Sequence, residues 1–400
     1  MTVRAGVDTI FTRPAEPDTR RRTARRTQSD RTLSDRAPSG RTPSARPPGT
    51  TDPGPTAGGV LDELSEVLFA PLPRSDQRAK GALYLRGLIA AEGRKSIRNI
   101  AAQVGGPELA QSLHHFIAAS TWDWEPVSRA LQRHADNELR FTAWVVQALP
   151  VPRKGRQAIG MWGVASDVTV PVRWHLVPFG QAAAGCVAAA ARVCDPSTIG
   201  PRPVVLDLPG AELGPVFDRY ARAGAPLLSA VPATLPVLDQ GAGRGAGRGG
   251  RSLPAARVLQ LHRMLRRPVE WTDPATGAVR RSLVGGVPVE WAGLPLLLLG
   301  QWDAGQEQPV GCWLTNLTAT PLGVLLRLAK LPQRVEQDFA GSASHVGALD
   351  DYEGRGADGW HRHMTLAAAA HVAQVVAAAR ARVRPWTHCM VSMERMGRSF

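Results

Sequence analysis

The chain predicts an α/β fold with a helical N-terminal region and a β-rich insertion, and three stretches carry that expectation. Residues 59–142 repeat apolar side chains every three to four positions, the spacing of amphipathic helices. The β-branched run Pro203-Val204-Val205-Leu206-Asp207 is followed by Pro209-Gly210, a helical pattern over 213–223 and a second apolar run over 226–231, the order of a βαβ unit. Residues 255–318 then change to short apolar runs broken by turn residues such as Asp273-Pro274-Ala275-Thr276-Gly277, the pattern of β-hairpins.

Composition narrows the function classes. The 400 residues allow two or three domains, and a formal net charge of +14 with a pI near 10.9 favours a polyanionic partner, nucleic acid first among them. A chain rich in Ala, Gly, Pro and Arg is also what GC-rich coding produces, so the two readings stand side by side. Cys186, Cys194, Cys312 and Cys389 show neither CxxC nor zinc spacing, which speaks against a disulfide scaffold or a metal knuckle. Apolar runs fall short of the roughly 20 residues of a membrane span, and the start of the chain has no signal-peptide core. A cytoplasmic protein with no membrane partner is expected.

Residues 1–58 are Arg, Ser, Thr, Pro, Gly and Asp with almost no large apolar side chain, so burial cannot offset the entropy of ordering and a disordered basic tail is expected. From Val60 the pattern is helical, with Leu61, Leu64, Val67 and Leu68 in the first helix and a further helix over 79–91. Residues 96–104, the turn Gly105-Gly106-Pro107 and residues 108–120 read as a helix-turn-helix or as part of a plain helical bundle, because Leu113, Phe116 and Ile117 mark one face of the second helix as packed. The core begins at Ala143-Trp144-Val145-Val146, with residues 143–237 as its first part. After Ala158-Ile159-Gly160 the chain passes almost directly to Pro171-Val172-Arg173-Trp174-His175-Leu176, with Asp167 as a turn residue in the gap. Residues 238–254, with GAGRGAGRGGR, read as a flexible Gly/Arg linker, and 255–318 as the β-rich insertion. Its Trp271, Trp291 and Trp302 either stack on unpaired bases or fill a hairpin core. Residues 319–400 complete the core.

In that last part Pro332 suits the first turn of a helix whose apolar stripe is Leu331, Val335 and Phe339, with Glu336 at its border. Further on come Asp350-Asp351-Tyr352-Glu353-Gly354-Arg355 and Gly359-Trp360-His361-Arg362-His363-Met364-Thr365-Leu366. This succession resembles the C-terminal signature of bacterial DDE-type insertion-sequence transposases, where the helix with the last catalytic acid precedes a GLDHYEGR-like turn and a GWHRHxTL helix start. The segments YLRGLIAAEGRKSIRNIAAQVG and WDWEPVSRAL are similar to the helical N-terminal part of the same proteins.

The resemblance implies an RNase H-like mixed sheet on which Asp, Asp and Glu hold two divalent ions for cleavage and transfer of DNA strands. Asp207 and Glu336 then take the roles of second and third catalytic acids and metal ligands, with Mg²⁺ or Mn²⁺ as cofactor. The first acid falls on Gln147, ahead of a phosphate-facing turn with Arg153 and Lys154; an amide has no charge to hold a divalent ion, so cleavage is expected to be impaired. A Lys usual one helical repeat after the Glu is Ala343 here. Arg153, Lys154, Arg334, Arg355, Trp360, His361 and Arg362 are the expected DNA contacts; the last three would otherwise anchor the final helix. Double-stranded DNA, at the ends of a mobile element, is the expected partner, and a homodimer is left open. The competing class is a non-catalytic DNA-binding remnant or regulator.

Overall fold

The structure is a computed structural model that describes residues 57–151, 156–166, 168–177, 182–208, 210–240, 252–273, 276–343, 352, 354 and 356–396. The basic tail up to residue 56, the Gly/Arg run 241–251, and Arg153, Lys154, Asp167 and Arg355 lie outside the described residues.

Helical periodicity becomes five helices, α1 (Ala57–Phe69), α2 (Ser75–Ala90), α3 (Ile97–Val104), α4 (Leu109–Ala118) and α5 (Trp124–Leu139). Leu64, Leu68, Tyr84, Leu85, Ile100 and Leu131 are buried, as the spacing requires. Local chemistry sets the ends: the Ser96 hydroxyl accepts from the Asn99 N–H at the start of α3, and the Asp123 carboxylate accepts from the Glu125 N–H at the start of α5. α3 and α4 follow each other across Gly105-Gly106-Pro107, with φ of 110° at Gly106, a conformation that favours glycine. Leu113, Phe116 and Ile117 of α4 are buried, while His114 and His115 are exposed.

Three strands follow, β1 (Ala143–Val151), β2 (Arg156–Val164) and β3 (Thr169–Leu176), as an antiparallel meander. Two expectations are corrected here. β1 does not end at Gln147, as the family resemblance implies, but runs on to Val151, because its pairing continues through Gln147↔Gly160 to Val151↔Arg156. The stretch read as a gap between Gly160 and Pro171 is largely strand, in a hairpin of 9 and 8 residues; the apolar residues between Met161 and Val172 supply it. Helix α6 (Ala182–Val193) leads to β4 (Val204–Asp207), α7 (Gly214–Arg222) and β5 (Leu227–Ala230), the anticipated βαβ unit. β4 lies parallel to both β1 and β5, so the first five strands take the order β3-β2-β1-β4-β5 of an RNase H-like sheet.

The insertion continues this sheet. It comprises β6 (Pro236–Asp239), β7 (Ser252–Pro254), α8 (Ala255–Leu261), a 3₁₀ turn (Arg263–Leu265), β8 (Arg267–Thr272), β9 (Val279–Trp291), β10 (Leu294–Trp302) and β11 (Gly311–Thr315). β11 pairs antiparallel with β5, extending an 11-stranded sheet through β10, β9, β6 and β7, with β8 on β9. The expected linker 238–254 thus contains sheet at both ends, where Pro236, Val237 and Leu238 pair with Pro254, Leu253 and Ser252. β9 is one strand of 13 residues, and a Cβ at its Gly286 would meet Leu322 Cδ2 at 2.8 Å, so a larger residue there would displace that side chain.

The chain closes with α9 (Leu322–Ala329), α10 (Leu331–Ala343) and α11 (Ala357–Met396). α10 packs on β1, β3 and β4, and α11 packs on β3, α2, α4 and α5, joining the sheet to the N-terminal helices. Its window Ala357–Arg382 is long and apolar enough to cross a membrane, yet 61% of it is buried inside the fold, as in a core helix.

Candidate active site

The parallel pairing of β1 and β4 sets Gln147 directly beside Asp207. Both residues stand where inward-facing positions of the central strands meet α10, and Glu336 reaches them from that helix. Gln147 is only 3% exposed, and its Nε2 donates to Glu336 Oε1 at 2.8 Å. Its Oε1 is buried with no hydrogen-bond partner. Burial pushes the Asp207 carboxyl above the usual carboxylate range, and the negative charge of Glu336 pushes it in the same direction. The three positions that the motif reading placed far apart in sequence therefore converge.

Their chemistry differs from that of a three-acid centre. Two carboxylates face an amide that offers an N–H to one of them. No group of three or more His, Cys, Asp or Glu side chains able to hold a metal ion forms among the described residues. The amide carbonyl is a ligand type that hard cations accept, but it carries no charge, and its N–H₂ already satisfies Glu336. As they stand, Gln147, Asp207 and Glu336 do not fit a two-ion centre.

Beside Glu336 an open groove of about 920 Å³ runs toward the insertion. Lys330, at the junction of α9 and α10, lines it with Arg281 and with Arg280, which is paired to Asp273. The Lys330 ammonium stands 4.7 Å from the Trp271 ring centroid and 5.6 Å from that of Trp313, and burial lowers its pKa. The sequence reading missed Lys330; a Lys in an Arg-rich chain, six residues before Glu336, was the available signal. It also missed Asp338, whose carboxylate accepts from the Thr169 N–H at 3.0 Å and hydroxyl at 2.9 Å and so ties α10 to the start of β3.

The structure brings Arg334 to the same place: it donates to the Ser166 carbonyl and approaches Asp338 at 3.7 Å, with its side chain partly exposed beside the hairpin tip. Three other expected DNA contacts are corrected. Trp360, His361 and Arg362 are all buried. His361 stacks on Trp124 with centroids 4.5 Å apart, donates from Nδ1 to the Ala357 carbonyl and accepts the Leu176 N–H at Nε2. Arg362 donates to the Trp122 and Ile117 carbonyls and lies over the Trp122 ring. These residues anchor α11, so no phosphate reaches them. The insertion tryptophans are likewise taken by the fold: Lys330 covers Trp271, Trp291 packs edge-on against Phe217, and Trp302 is buried with Arg266 over its ring.

The mixed sheet, with Asp207 on a central strand and Glu336 on a helix laid across it, is an RNase H-like α/β arrangement. Residues 67–176 match the family described as DDE superfamily endonuclease. That stretch runs from α1 through β3 and includes Gln147, whereas Asp207 and Glu336 lie beyond it. No curated protein matches the chain.

Proposed function

We propose that this is a DDE transposase-like protein of DNA transposition whose strand cleavage and transfer are impaired at Gln147. The observation that carries this reading is the 2.8 Å hydrogen bond from Gln147 to Glu336; with Asp207 beside Gln147, it supports reading the three positions as one site that holds an amide instead of an acid. DDE superfamily endonucleases generally act on DNA with divalent metal ions, and Asp207 and Glu336 are the two ligands this chain retains. Arg334 beside the site, with Arg153, Lys154 and Arg355 in sequence, would grip the DNA backbone at element ends. The protein would work in the cytoplasm, on the nucleoid, alone or as a homodimer.

A second reading is a non-catalytic DNA-binding remnant or regulator. The charge count of the site favours it, since two acids remain where three are needed and Ala343 replaces a Lys. Cleavage of duplex DNA flanking its own gene, with Mg²⁺ or Mn²⁺, separates the two. Activity in the wild type that Asp207→Ala abolishes supports the enzyme. Silence in the wild type with cleavage by Gln147→Asp supports an impaired transposase, and DNA binding with silence in all variants supports the remnant.

A further inference from the structure

Seven large apolar side chains are exposed among the described residues, and three of them, Leu261, Met264 and Leu265, fall within five consecutive positions. Met264 is 89% exposed, the highest of the seven. A clustered apolar tip of this kind marks a contact surface rather than chance exposure. The tip is held on a firm base: Ala255, Val258 and Leu259 of α8 are buried, and His262 bonds Asp239 at 2.9 Å.

Its surroundings are cationic. Arg257 and Arg263 line with Leu261 and Met264 a cavity of about 680 Å³, which also has Glu307 at its wall. Arg257, Arg263 and Arg267 form no ion pair among the described residues, and Arg266 is occupied by the Trp302 ring. From Ala255 to Val269 the chain has four arginines and no carboxylate. A second copy of this chain would oppose arginine to arginine across such a face. A polyanion with an apolar interior fits it better, and duplex DNA offers both: phosphates flanking the minor groove for the arginines, and stacked base steps that open to an apolar wedge.

We propose that the α8 knob is a duplex-DNA docking element, with Arg263 and Arg267 on phosphates and the Met264 side chain wedged between base pairs. The inference rests on the reading that the protein binds DNA, and it adds a contact surface separate from Gln147, Asp207 and Glu336.

The test uses the full chain and an end-labelled duplex of about 30 base pairs, with affinity and end-to-end energy transfer followed over roughly 50 to 200 mM salt. Expected results are bending of the duplex by the wild type, loss of that bend and about tenfold weaker binding in Met264→Ala with the salt slope kept, and a slope lower by about two in the Arg263→Gln/Arg267→Gln double variant. Wild-type levels of bend, affinity and slope in both variants would overturn the proposal while leaving DNA binding intact. Absence of duplex binding by the wild type would instead remove the functional reading and this inference with it. Loss of a dimer in Met264→Ala, with DNA binding and bending unchanged, would assign the knob to a second copy and overturn the proposal as well.

Discussion

Gln147 Nε2 lies 2.8 Å from Glu336 Oε1, so the amide that stands beside Asp207 on the central strands holds the helix-borne acid by a hydrogen bond. Charge repulsion explains why that matters. Three acids at these positions need a cation between them, whereas two acids and an amide donor are tolerable without one. On the proposed reading, an amide at this position lowers both the site's need for a metal ion and its cleavage rate.

Restoring the acid should reverse both effects. Gln147→Asp loses the hydrogen bond to Glu336 and adds a third negative charge, so the metal-free protein should lose roughly 1–3 kcal/mol of stability. Mg²⁺ or Mn²⁺ should return that loss, seen as a rise in Tm confined to the variant. Its cleavage rate should exceed the wild type's by about 100-fold or more, equivalent to about 3 kcal/mol of transition-state stabilisation. A variant that metal neither stabilises nor activates would refute this account of Gln147.

Asp207 offers a pH test of the same cluster. Its folded pKa is raised by burial and then by Glu336, so the folded state binds a proton more readily than the unfolded chain does. The carboxyl therefore costs little stability below its unfolded pKa, and the cost grows as pH rises through the folded value. Asp207→Asn should raise Tm at pH 7 and leave it unchanged near pH 3. Thermal scans of both proteins across this range check it, and a gain independent of pH would point to packing instead.

The sheet core and the Glu336 helix were legible because they rest on local pattern. Val204–Asp207, the turn at Gly210 and the apolar face of Gly214–Arg222 are each declared within a few residues. Glu336 was legible through Leu331, Val335 and Phe339. What was hidden depends on distant partners. Gln147 lies mid-strand because Gly160 pairs with it and Arg156 pairs with Val151 beyond it, partners that the residues before Gln147 do not announce. The run Trp360-His361-Arg362 has the charge and aromatic content of a DNA-binding surface, yet Trp122, Trp124 and Ile117, more than 230 residues earlier, enclose it. Periodicity shows that a helix has two faces; it does not say which neighbour arrives to cover them.

His361 makes that enclosure pH-dependent. Burial lowers its pKa to about 4, and both ring nitrogens are committed to backbone groups in the neutral form. A histidine depressed in this way contributes stability above its unfolded pKa near 6.5 and loses it as pH falls toward 4. Between those limits the loss should reach roughly 3 kcal/mol. Urea unfolding of the wild type and His361→Gln from pH 7 to pH 4 should show a steeper decline in the wild type; parallel curves would remove His361 from the explanation.

Arg362 separates anchoring from DNA contact most directly. Its guanidinium forks to the Trp122 carbonyl at 3.0 Å and the Ile117 carbonyl at 3.1 Å, and it lies 5.5 Å from the Trp122 ring centroid. Arg362→Met keeps much of the stem but leaves two buried carbonyls without donors, a loss of roughly 2–4 kcal/mol. Arg362→Lys should recover less than half of it, because an ammonium cannot span both acceptors in the plane of the fork. Denaturant midpoints report the stability, and DNA titrations at a temperature where both variants stay folded report the alternative. An anchoring residue lowers the midpoint and leaves the salt slope of DNA binding at the wild-type value. A phosphate contact would do the reverse, lowering the slope by about 0.9 with the midpoint unmoved.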